Sequence, residues 1–216
     1  MKTNQIMKVQ LLFSLFCLSA VLISCGDDKQ KDTVDKADVL IKSNKPRSKN
    51  DTTPHSVPII NLQDTVAYPY IVICFKDSAR NNVRLSQKLA DIYGKKLQAV
   101  IKKNKLTVVG APMAWYKSQK APFFFEAGLP VDKKPSKLPK GFYCKNTGGL
   151  KVMVAHYFGP YEETFQAYQV LKEWMADEKK VQAAPAYEIY VTDPVGKDGQ
   201  LLDPYKVQTD IIFPYR

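Results

Sequence analysis

The pattern of apolar and polar positions divides the chain into three parts. An uncharged stretch, LLFSLFCLSAVLIS, follows ten residues that contain lysine and no acid, and it ends at residue 24. Charged and small polar side chains then dominate as far as residue 56, too polar to offset the entropy of ordering. Aromatic and β-branched residues become frequent afterwards. The pattern therefore predicts a leader over 1–24, a flexible spacer over 25–56 and one domain over 57–216.

The first part of the domain predicts a strand, a helix and two further strands. Residues 66–75, VAYPYIVICF, are rich in the side chains typical of strands. Apolar residues then recur at steps of three and four and predict a helix over about 79–102, with Asp77 or Ser78 as its cap. The segments TVVGAPMAWYKS and APFFFEAGLPV predict two strands joined by a turn near Gln119.

The second part repeats this order. Residues 150–157 predict a strand, and Pro160 then stands in the first turn of a helix, where its missing N–H costs nothing. Two strands follow, over 186–193 and 206–215. Two β-α-β-β halves favour an α+β domain with pseudo-twofold symmetry, helices on one face of a mostly antiparallel sheet and a cleft at the seam. Small-molecule sites favour such clefts.

The leader has the pattern of an export signal. Its basic start carries Lys2 and Lys8, and its apolar stretch is too short to span a bilayer. The segment Leu22-Ile23-Ser24-Cys25 resembles the lipobox of bacterial lipoproteins, which implies cleavage before Cys25 and its lipidation. The alternative is an ordinary signal peptide with a chance cysteine. We expect the protein to be anchored to a membrane of the bacterial cell envelope, with the outer membrane favoured. The domain is then expected in the periplasm or at the cell surface.

Cysteine and histidine usage narrows the chemistry further. After export, Cys74 and Cys144 remain, in the strand-like segments IVICF and GFYCK, either as a disulfide or as two separate thiols. The two histidines, His55 and His156, are far apart in sequence, and no Cys-x-x-Cys occurs. We therefore expect no metal site and no cofactor.

The charge balance is strongly basic, with a net charge of +11 for the whole chain. Export would separate the domain from cytoplasmic nucleic acid, so we expect no nucleic-acid partner. Attraction to an anionic membrane surface or to anionic ligands fits better. The alternative is that the lysine clusters form a solvated face without a specific partner.

A family resemblance rests on the second half and part of the first. The segments HYFGPYEETFQAYQVLKEWM and PAYEIYVTDP, with a closing strand that contains Phe213-Pro214, resemble the GyrI-like family, which includes effector-binding domains of multidrug-responsive transcription activators. The matching positions in the second half are Tyr157, Gly159, Pro160, Tyr161, Trp174, Glu188, Tyr190, Asp193, Pro194 and Pro214. The first half adds Gly110, Pro112, Tyr116 and the segment Phe125-Glu126-Ala127-Gly128. The resemblance covers about 66–216.

The resemblance implies a fold of two SHS2-like halves and a ligand site between them. Family members bind amphipathic, often cationic or aromatic, small molecules through a central glutamate, and Glu188 is the matching position. The other candidate ligand-binding residues are Tyr116, Phe124, Tyr168, Trp174 and Tyr190. Because strand residues alternate between faces, Glu188 can instead be an exposed acid, and Tyr168 and Trp174 can be plain core. Glu126 is a further candidate cleft acid or an exposed residue, and His156 is expected to be an ordinary strand residue.

Three functions remain open at this stage. The first is a membrane-tethered domain that binds an amphipathic small molecule. The second is a hydrolase in which Glu188 is the general base, with a raised pKa, and Tyr116 or Tyr190 orients the substrate. The third is an interaction module of the envelope with no ligand, favoured by a filled cleft or by Glu188 bound to a lysine or arginine. A spacer in place of a DNA-binding segment, together with export, argues against transcription or gyrase inhibition. The oligomeric state is left open.

Overall fold

The computed structural model describes residues 57–216, so the predicted leader, Cys25 and the spacer lie outside the described residues. The strands are β1 Ile59–Val66, β2 Ile71–Ala79, β3 Met113–Tyr116, β4 Phe123–Val131, β5 Phe142–Asn146, β6 Lys151–Phe158, β7 Tyr187–Tyr190 and β8 Gln208–Tyr215. The helices are α1 Asn82–Asp91, α2 Leu97–Lys103 and α3 Phe165–Asp177. A π-helical turn, Ile92–Lys96, joins α1 to α2, and short 3₁₀ turns span Tyr161–Glu163 and Pro204–Lys206.

All eight of these strands form one sheet, in the order β1-β6-β8-β7-β3-β4-β2-β5, and each neighbouring pair is antiparallel. The unit β2-α1/α2-β3-β4 makes one half and β6-α3-β7-β8 makes the other. In both halves the last strand lies between the other two, and the seam is the pair β3–β7. The observed fold confirms the predicted α+β class with a single antiparallel sheet.

The first helix packs on its own half because of its cap and its apolar stripe. The side chain of Asn81 accepts a hydrogen bond from the backbone N–H of Arg84 at 2.9 Å, which satisfies one of the free donors at the helix start. Leu85, Ile92 and Leu97 are buried at helical spacing and pack with the inward residues of β2 and β4. Burial of this stripe holds the helix against the sheet.

Helix α3 packs against the other half of the sheet in the same way. Leu171, fully buried, and Ala167 of α3 pack against Tyr157, Ile211 and Phe213 of β6 and β8. The register Ala127↔Ala114↔Glu188↔Ile211 runs across the sheet through one side-chain face. Because Ala127 lies under α1 and α2 and Ile211 lies under α3, all three helices cover this face, which we call the helix face.

The opposite face of the sheet has its own buried cluster. It includes Val72 of β2, Trp115 of β3, Tyr187 of β7 and Val152 of β6, each at most 7% exposed. Since β6 and β2 are second and seventh in the sheet order, the sheet curves enough for its two halves to share this core. Three packed clusters joined by one continuous sheet are what an independently folding domain requires.

Several predicted boundaries are corrected by the structure. The sequence pattern does not predict strand β1, because this edge strand has almost no buried positions and so no clear alternation. The strand expected at 66–75 is β2, at Ile71–Ala79. Only Met113–Tyr116 forms a strand in the segment 107–118, since Pro112 has no N–H to donate to a neighbouring strand.

Cys74 and Cys144 are free thiols. In the β2–β5 register Ile73 stands opposite Cys144, so Cys74 and Cys144 are one step out of phase and point to opposite faces of the sheet. Burial raises the pKa of the Cys74 thiol to about 12, which makes it a poor nucleophile. Among residues 57–216, no helix is long and apolar enough to cross a membrane.

A pair of glycine substitutions tests the close packing of β2 against β4. A Cβ atom at Gly128 would lie 2.6 Å from Cγ1 of Val72 and 2.8 Å from Sγ of Cys74. We expect Gly128→Ala to lower the free energy of unfolding by about 1–3 kcal/mol, as overpacked cores do. Urea denaturation monitored by circular dichroism measures the change.

The matched control is Gly94→Ala in the π-helical turn, where a Cβ atom meets no atom within 4 Å. This change should leave the stability unchanged or raise it by up to about 1 kcal/mol, because alanine has less backbone freedom to lose. Equal effects of the two substitutions would contradict the packing described.

Candidate functional site

Glu188 occupies the middle of the sheet, on the helix face. It lies on β7 opposite Ala114 of β3, at the seam where the two halves meet. Tyr187 and Ile189, its neighbours in the strand, point to the opposite face and pack in the buried cluster there. Both faces of β7 are therefore covered, and the side chain of Glu188 is 0% exposed.

Tyrosine hydroxyls occupy both carboxylate oxygens of Glu188. Tyr168 of α3 donates a hydrogen bond to Oε1 at 2.9 Å. Tyr161, in the 3₁₀ turn before α3, donates to Oε2, also at 2.9 Å. The Gly159-Pro160 turn and the first turns of α3 thus bring two donors over the seam. Within residues 57–216, no lysine, arginine or histidine forms an ion pair with Glu188.

Three further tyrosines surround Glu188 and its two hydrogen-bond donors. Tyr190 follows Glu188 on the same face of β7, and its hydroxyl lies 2.7 Å from that of Tyr116 on β3. The hydroxyl of Tyr161 lies 3.2 Å from that of Tyr116 and 3.4 Å from that of Tyr190. Tyr93, from the π-helical turn, sets its ring edge-on to Tyr190 at 6.3 Å and donates to the carbonyl of Met113. We call Glu188 and these five residues the tyrosine–glutamate cluster.

Burial decides the electrostatics of the cluster. Removal from water raises the pKa of Glu188 above its ordinary value of 4.5, although hydrogen bonds from the tyrosines oppose the rise. The same burial, together with the nearby carboxylate, raises the pKa of Tyr161, Tyr168 and Tyr190 well above the usual value, so these hydroxyls keep their protons and remain donors.

The structure brings together four of the residues predicted for the site and leaves two outside. Glu188, Tyr116, Tyr168 and Tyr190 belong to the cluster. Phe124 does not, since on β4 it points away from the helix face and is 50% exposed, while its neighbour Phe125 packs 6.1 Å from Tyr116.

Trp174 also lies outside the cluster. It stands nearly two turns beyond Tyr168 on α3 and packs edge-on against Tyr215 of β8, with 5.1 Å between the ring centres. Its role in the described residues is to extend the core under α3.

Sequence reasoning did not assign two members of the cluster. Tyr161 stands in the Gly-Pro-Tyr motif, but it precedes the regular helix, so helical periodicity gives no indication of its direction. Tyr93 belongs to the apolar stripe of the first helix, where a tyrosine is equally suited to the core. A polar hydroxyl at such a position needs a partner, and that requirement is the signal that could have identified it.

The other two polar candidates lie on the opposite face from Glu188. Glu126 forms ion pairs with Lys76, at 3.4 Å, and with Lys145. Nδ1 of His156 lies 2.8 Å from Oδ1 of Asp210, and its Nε2 lies 3.0 Å from the side-chain oxygen of Gln63. Glu126 thus has lysine partners, and His156 has polar partners, within the described residues. Residues 57–216 contain no group of His, Cys, Asp and Glu side chains placed to hold a metal ion.

Chemically, the cluster is a carboxylate without a counter-ion inside a ring of aromatic faces. A buried carboxylate is costly unless it is paired, and hydrogen bonds from hydroxyls offset this cost only in part. The arrangement therefore suits a group that brings positive charge to Oε1 and Oε2 and presents apolar surface to the tyrosine rings.

Comparison with known proteins identifies the fold. Neither a protein-family model nor a curated protein matches the chain. The C-terminal domain of EcmrR superimposes with a TM-score of 0.60 at 18% identity, over 74% of this chain and 99% of that one. EcmrR in its complex with DNA gives a TM-score of 0.58 at 19% identity and again 74% of this chain, but the match spans only 57% of the EcmrR chain.

Two further solved structures match the domain with lower TM-scores. A hydrolase from Listeria innocua gives a TM-score of 0.50 at 11% identity, over 72% of this chain and 91% of that one. SAV2435 bound to tetraphenylphosphonium gives a TM-score of 0.47 at 15% identity, over 72% and 94% of the two chains. The domain is thus similar in fold to the EcmrR C-terminal domain, as the resemblance to the GyrI-like family implied.

The raised pKa of Glu188 makes a prediction for stability against pH. The folded domain holds the proton of Glu188 at pH values where the unfolded chain has lost it. The stabilisation of the folded state by protonated Glu188 is therefore fully present below about pH 4.5. It is lost as the pH rises towards the pKa of Glu188 in the folded domain. We expect the unfolding free energy of Glu188→Gln, relative to wild type, to increase over this window by at most about 1.4 kcal/mol per pH unit.

Urea denaturation of both proteins across a pH series measures the difference. Glu173→Gln, an exposed acid on α3, is the control because it changes the charge equally without touching the cluster. A constant difference between wild type and Glu188→Gln, or the same curve for the control, would contradict the burial described.

Proposed function

We propose that this protein is a membrane-tethered binding domain for an amphipathic cationic or aromatic small molecule, with Glu188 as the central ligand group. The observation that carries the proposal is the fully buried carboxylate at the seam, which hydroxyl groups rather than a cation satisfy. The tether is the predicted lipid on Cys25, and it rests on the sequence pattern alone.

The physical argument favours a cation with aromatic or apolar substituents. A cation that reaches Glu188 replaces hydrogen bonds from neutral donors by an ion pair in a water-poor site, where the attraction is strong. The faces of Tyr161, Tyr190 and Tyr93 can each add about 0.5–2 kcal/mol through cation–π contact. An apolar body also gains from burial against the same rings.

Tyr161 controls access to the carboxylate. It is 38% exposed, whereas Glu188 is 0% exposed, so Tyr161 forms the outer wall of the cluster. Its 3₁₀ turn is only three residues long, and its hydroxyl is held by other side chains rather than by the backbone. Access of a ligand to Oε2 would therefore require Tyr161 to give up its hydrogen bond to that oxygen.

The fold also supports the proposed binding function. The C-terminal domain of EcmrR has nearly its whole length matched by this domain. In the resemblance to the GyrI-like family, Glu188 is the position that matches the family's central glutamate. The filled seam is the feature that favours an interaction module, but the absence of a lysine or arginine partner for Glu188 among the described residues favours a ligand.

Hydrolysis uses the same carboxylate and is less well supported. A general base must hold a water in line with the substrate, at hydrogen-bonding distance. Both oxygens of Glu188 are already occupied by Tyr161 and Tyr168 at 2.9 Å. Binding requires that one of these hydrogen bonds be exchanged, whereas catalysis requires in addition a place for the water.

A thermal-shift experiment on residues 57–216 tests the proposal. We expect a lipophilic cation such as tetraphenylphosphonium to stabilise the wild type, by about 2.7 kcal/mol at 100 times its Kd. This corresponds to a rise in Tm of roughly 5–10 °C for a domain of this size. Glu188→Gln should lose most of the shift, because it keeps the shape and removes the charge.

The controls separate charge from shape and binding from turnover. Triphenylphosphine oxide, a neutral aromatic of similar build, should give a smaller shift, and Glu173→Gln should behave as wild type. Equal shifts for wild type and Glu188→Gln would remove Glu188 from the site, and no shift for any compound would favour the interaction module. Recovery of chemically altered compounds by mass spectrometry would favour the hydrolase.

The role of Tyr161 makes a kinetic prediction. Because its side chain covers Oε2, Tyr161→Ala should raise the association rate constant of the same cation, by about tenfold if displacement costs about 1.4 kcal/mol. Stopped-flow fluorescence measures the rate. Tyr68→Ala, at a residue that is 66% exposed and outside the cluster, is the control and should leave the rate unchanged. An unchanged rate in Tyr161→Ala would show that ligands enter elsewhere.

A further inference from the structure

The two halves of the domain differ sharply in charge. Residues 57–150 contain 16 basic and 5 acidic side chains, a net charge of +11, whereas residues 151–216 contain 7 basic and 10 acidic ones, a net charge of −3. A solvated surface needs charge of both signs but does not require this separation. The excess in the first half therefore marks one side of the domain.

The charge is concentrated in two segments that lie side by side. These are the end of the first helix with the residues after it, 95–105, and the connection between β4 and β5, 132–141. The backbone N–H of Asp132 donates to the carbonyl of Thr107 at 3.0 Å, and the N–H of Thr107 donates to Oδ1 of Asp132 at 2.8 Å. Together they carry nine lysines, which we call the basic surface: Lys95, Lys96, Lys102, Lys103, Lys105, Lys133, Lys134, Lys137 and Lys140.

Few acids compensate these lysines. Asp91 lies 3.7 Å from Lys95 and 3.5 Å from Lys96, and Asp132 lies 3.8 Å from Lys133. The other six lysines form no ion pair within residues 57–216. All nine except Lys96 are exposed, so the charge faces solvent.

An apolar groove opens within the basic surface. It has a volume of about 420 Å³ and is lined by Phe75, Ala99, Val100, Pro139 and Phe142, with Lys96 and Lys103 beside them. The ammonium group of Lys96 lies 4.5 Å above the ring of Phe75. Lysines whose stems flank exposed apolar surface are typical of a lipid interface, where the heads meet phosphate and the stems meet hydrocarbon.

We propose that the basic surface docks on an anionic lipid bilayer. The lysines are spread over two segments and do not converge on one point, so they match an extended array of headgroups better than one soluble anion. Each lysine held near such a bilayer strengthens binding by about fivefold. The groove admits apolar contact at the headgroup level, which a purely charged partner does not use.

The predicted anchor adds reach but is not needed for the contact. If Cys25 carries lipid, as the sequence predicts, the anchor would hold the domain close to the membrane. Docking and tethering are nonetheless separable, because the basic surface lies wholly within the described domain. The contact with the bilayer does not involve Glu188. The docking proposal therefore stands even if the proposal of a ligand at Glu188 fails.

Vesicle co-sedimentation of residues 57–216 tests the proposal without the anchor. We expect binding to vesicles of phosphatidylglycerol and phosphatidylcholine, little binding to phosphatidylcholine alone, and weakening as salt rises. A variant with four of these lysines replaced should lose at least about 100-fold in affinity for the anionic vesicles. Its substitutions are Lys102→Gln, Lys103→Gln, Lys137→Gln and Lys140→Gln. Its circular dichroism and Tm should match the wild type because all four side chains are exposed.

The matched control removes the same charge from the other half, by Lys151→Gln, Lys172→Gln, Lys197→Gln and Lys206→Gln, all exposed. This variant should keep most of the affinity. Equal losses in the two variants would assign binding to net charge alone and overturn the proposal, as would no binding of the wild type at low salt. Displacement by glycerol phosphate at the headgroup concentration would point to a soluble phosphate as the ligand and also overturn it.

Discussion

The burial of one carboxylate at the seam of the sheet constrains the rest of this domain. Glu188 is fully buried on β7, and the short β3–β7 pair, with Ala114 opposite it, leaves room above the seam only for side chains that arrive from the helices and turns. An uncompensated carboxylate in such a place requires donors. Tyr168 from α3 and Tyr161 from the preceding turn meet this requirement. The position of α3 and the position of the carboxylate therefore depend on each other.

This dependence explains how the proposed binding site can coincide with a packed core. Tyr93, Tyr116 and Tyr190 complete the enclosure with rings, and their hydroxyls keep their protons because burial raises their pKa. The hydroxyls of Tyr161 and Tyr168 close the cluster over the two oxygens of Glu188. A cation offers Glu188 a stronger partner than a phenol does, so the same interactions that close the site also allow exchange. Tyr161 is the one exposed residue of the cluster.

Much of this arrangement could be anticipated from the sequence. The two β-α-β-β units follow from the alternation in 186–190 and from the helical spacing of the apolar residues, and Glu188, Tyr116, Tyr168 and Tyr190 could be predicted as candidates. The direction of a strand residue with apolar neighbours on both sides could not be predicted. For this reason the sequence indicates Phe124 as a site residue, although Phe125 is the one that faces Tyr116. Tyr161 stands in an irregular turn, where no periodicity applies. The edge strand β1 lacks a buried face and so lacks a pattern.

The protonation of Glu188 is the most direct test of the account. Carbon-13 labelling of glutamate side chains allows the carboxyl shift of Glu188 to be followed by NMR as a function of pH, with Glu188→Gln to assign the signal. We expect Glu188 to have a pKa above the ordinary range in the free domain, and we expect that pKa to fall when a lipophilic cation is added, because the cation stabilises the carboxylate. An ordinary pKa in the free domain that is unchanged by the cation would contradict it.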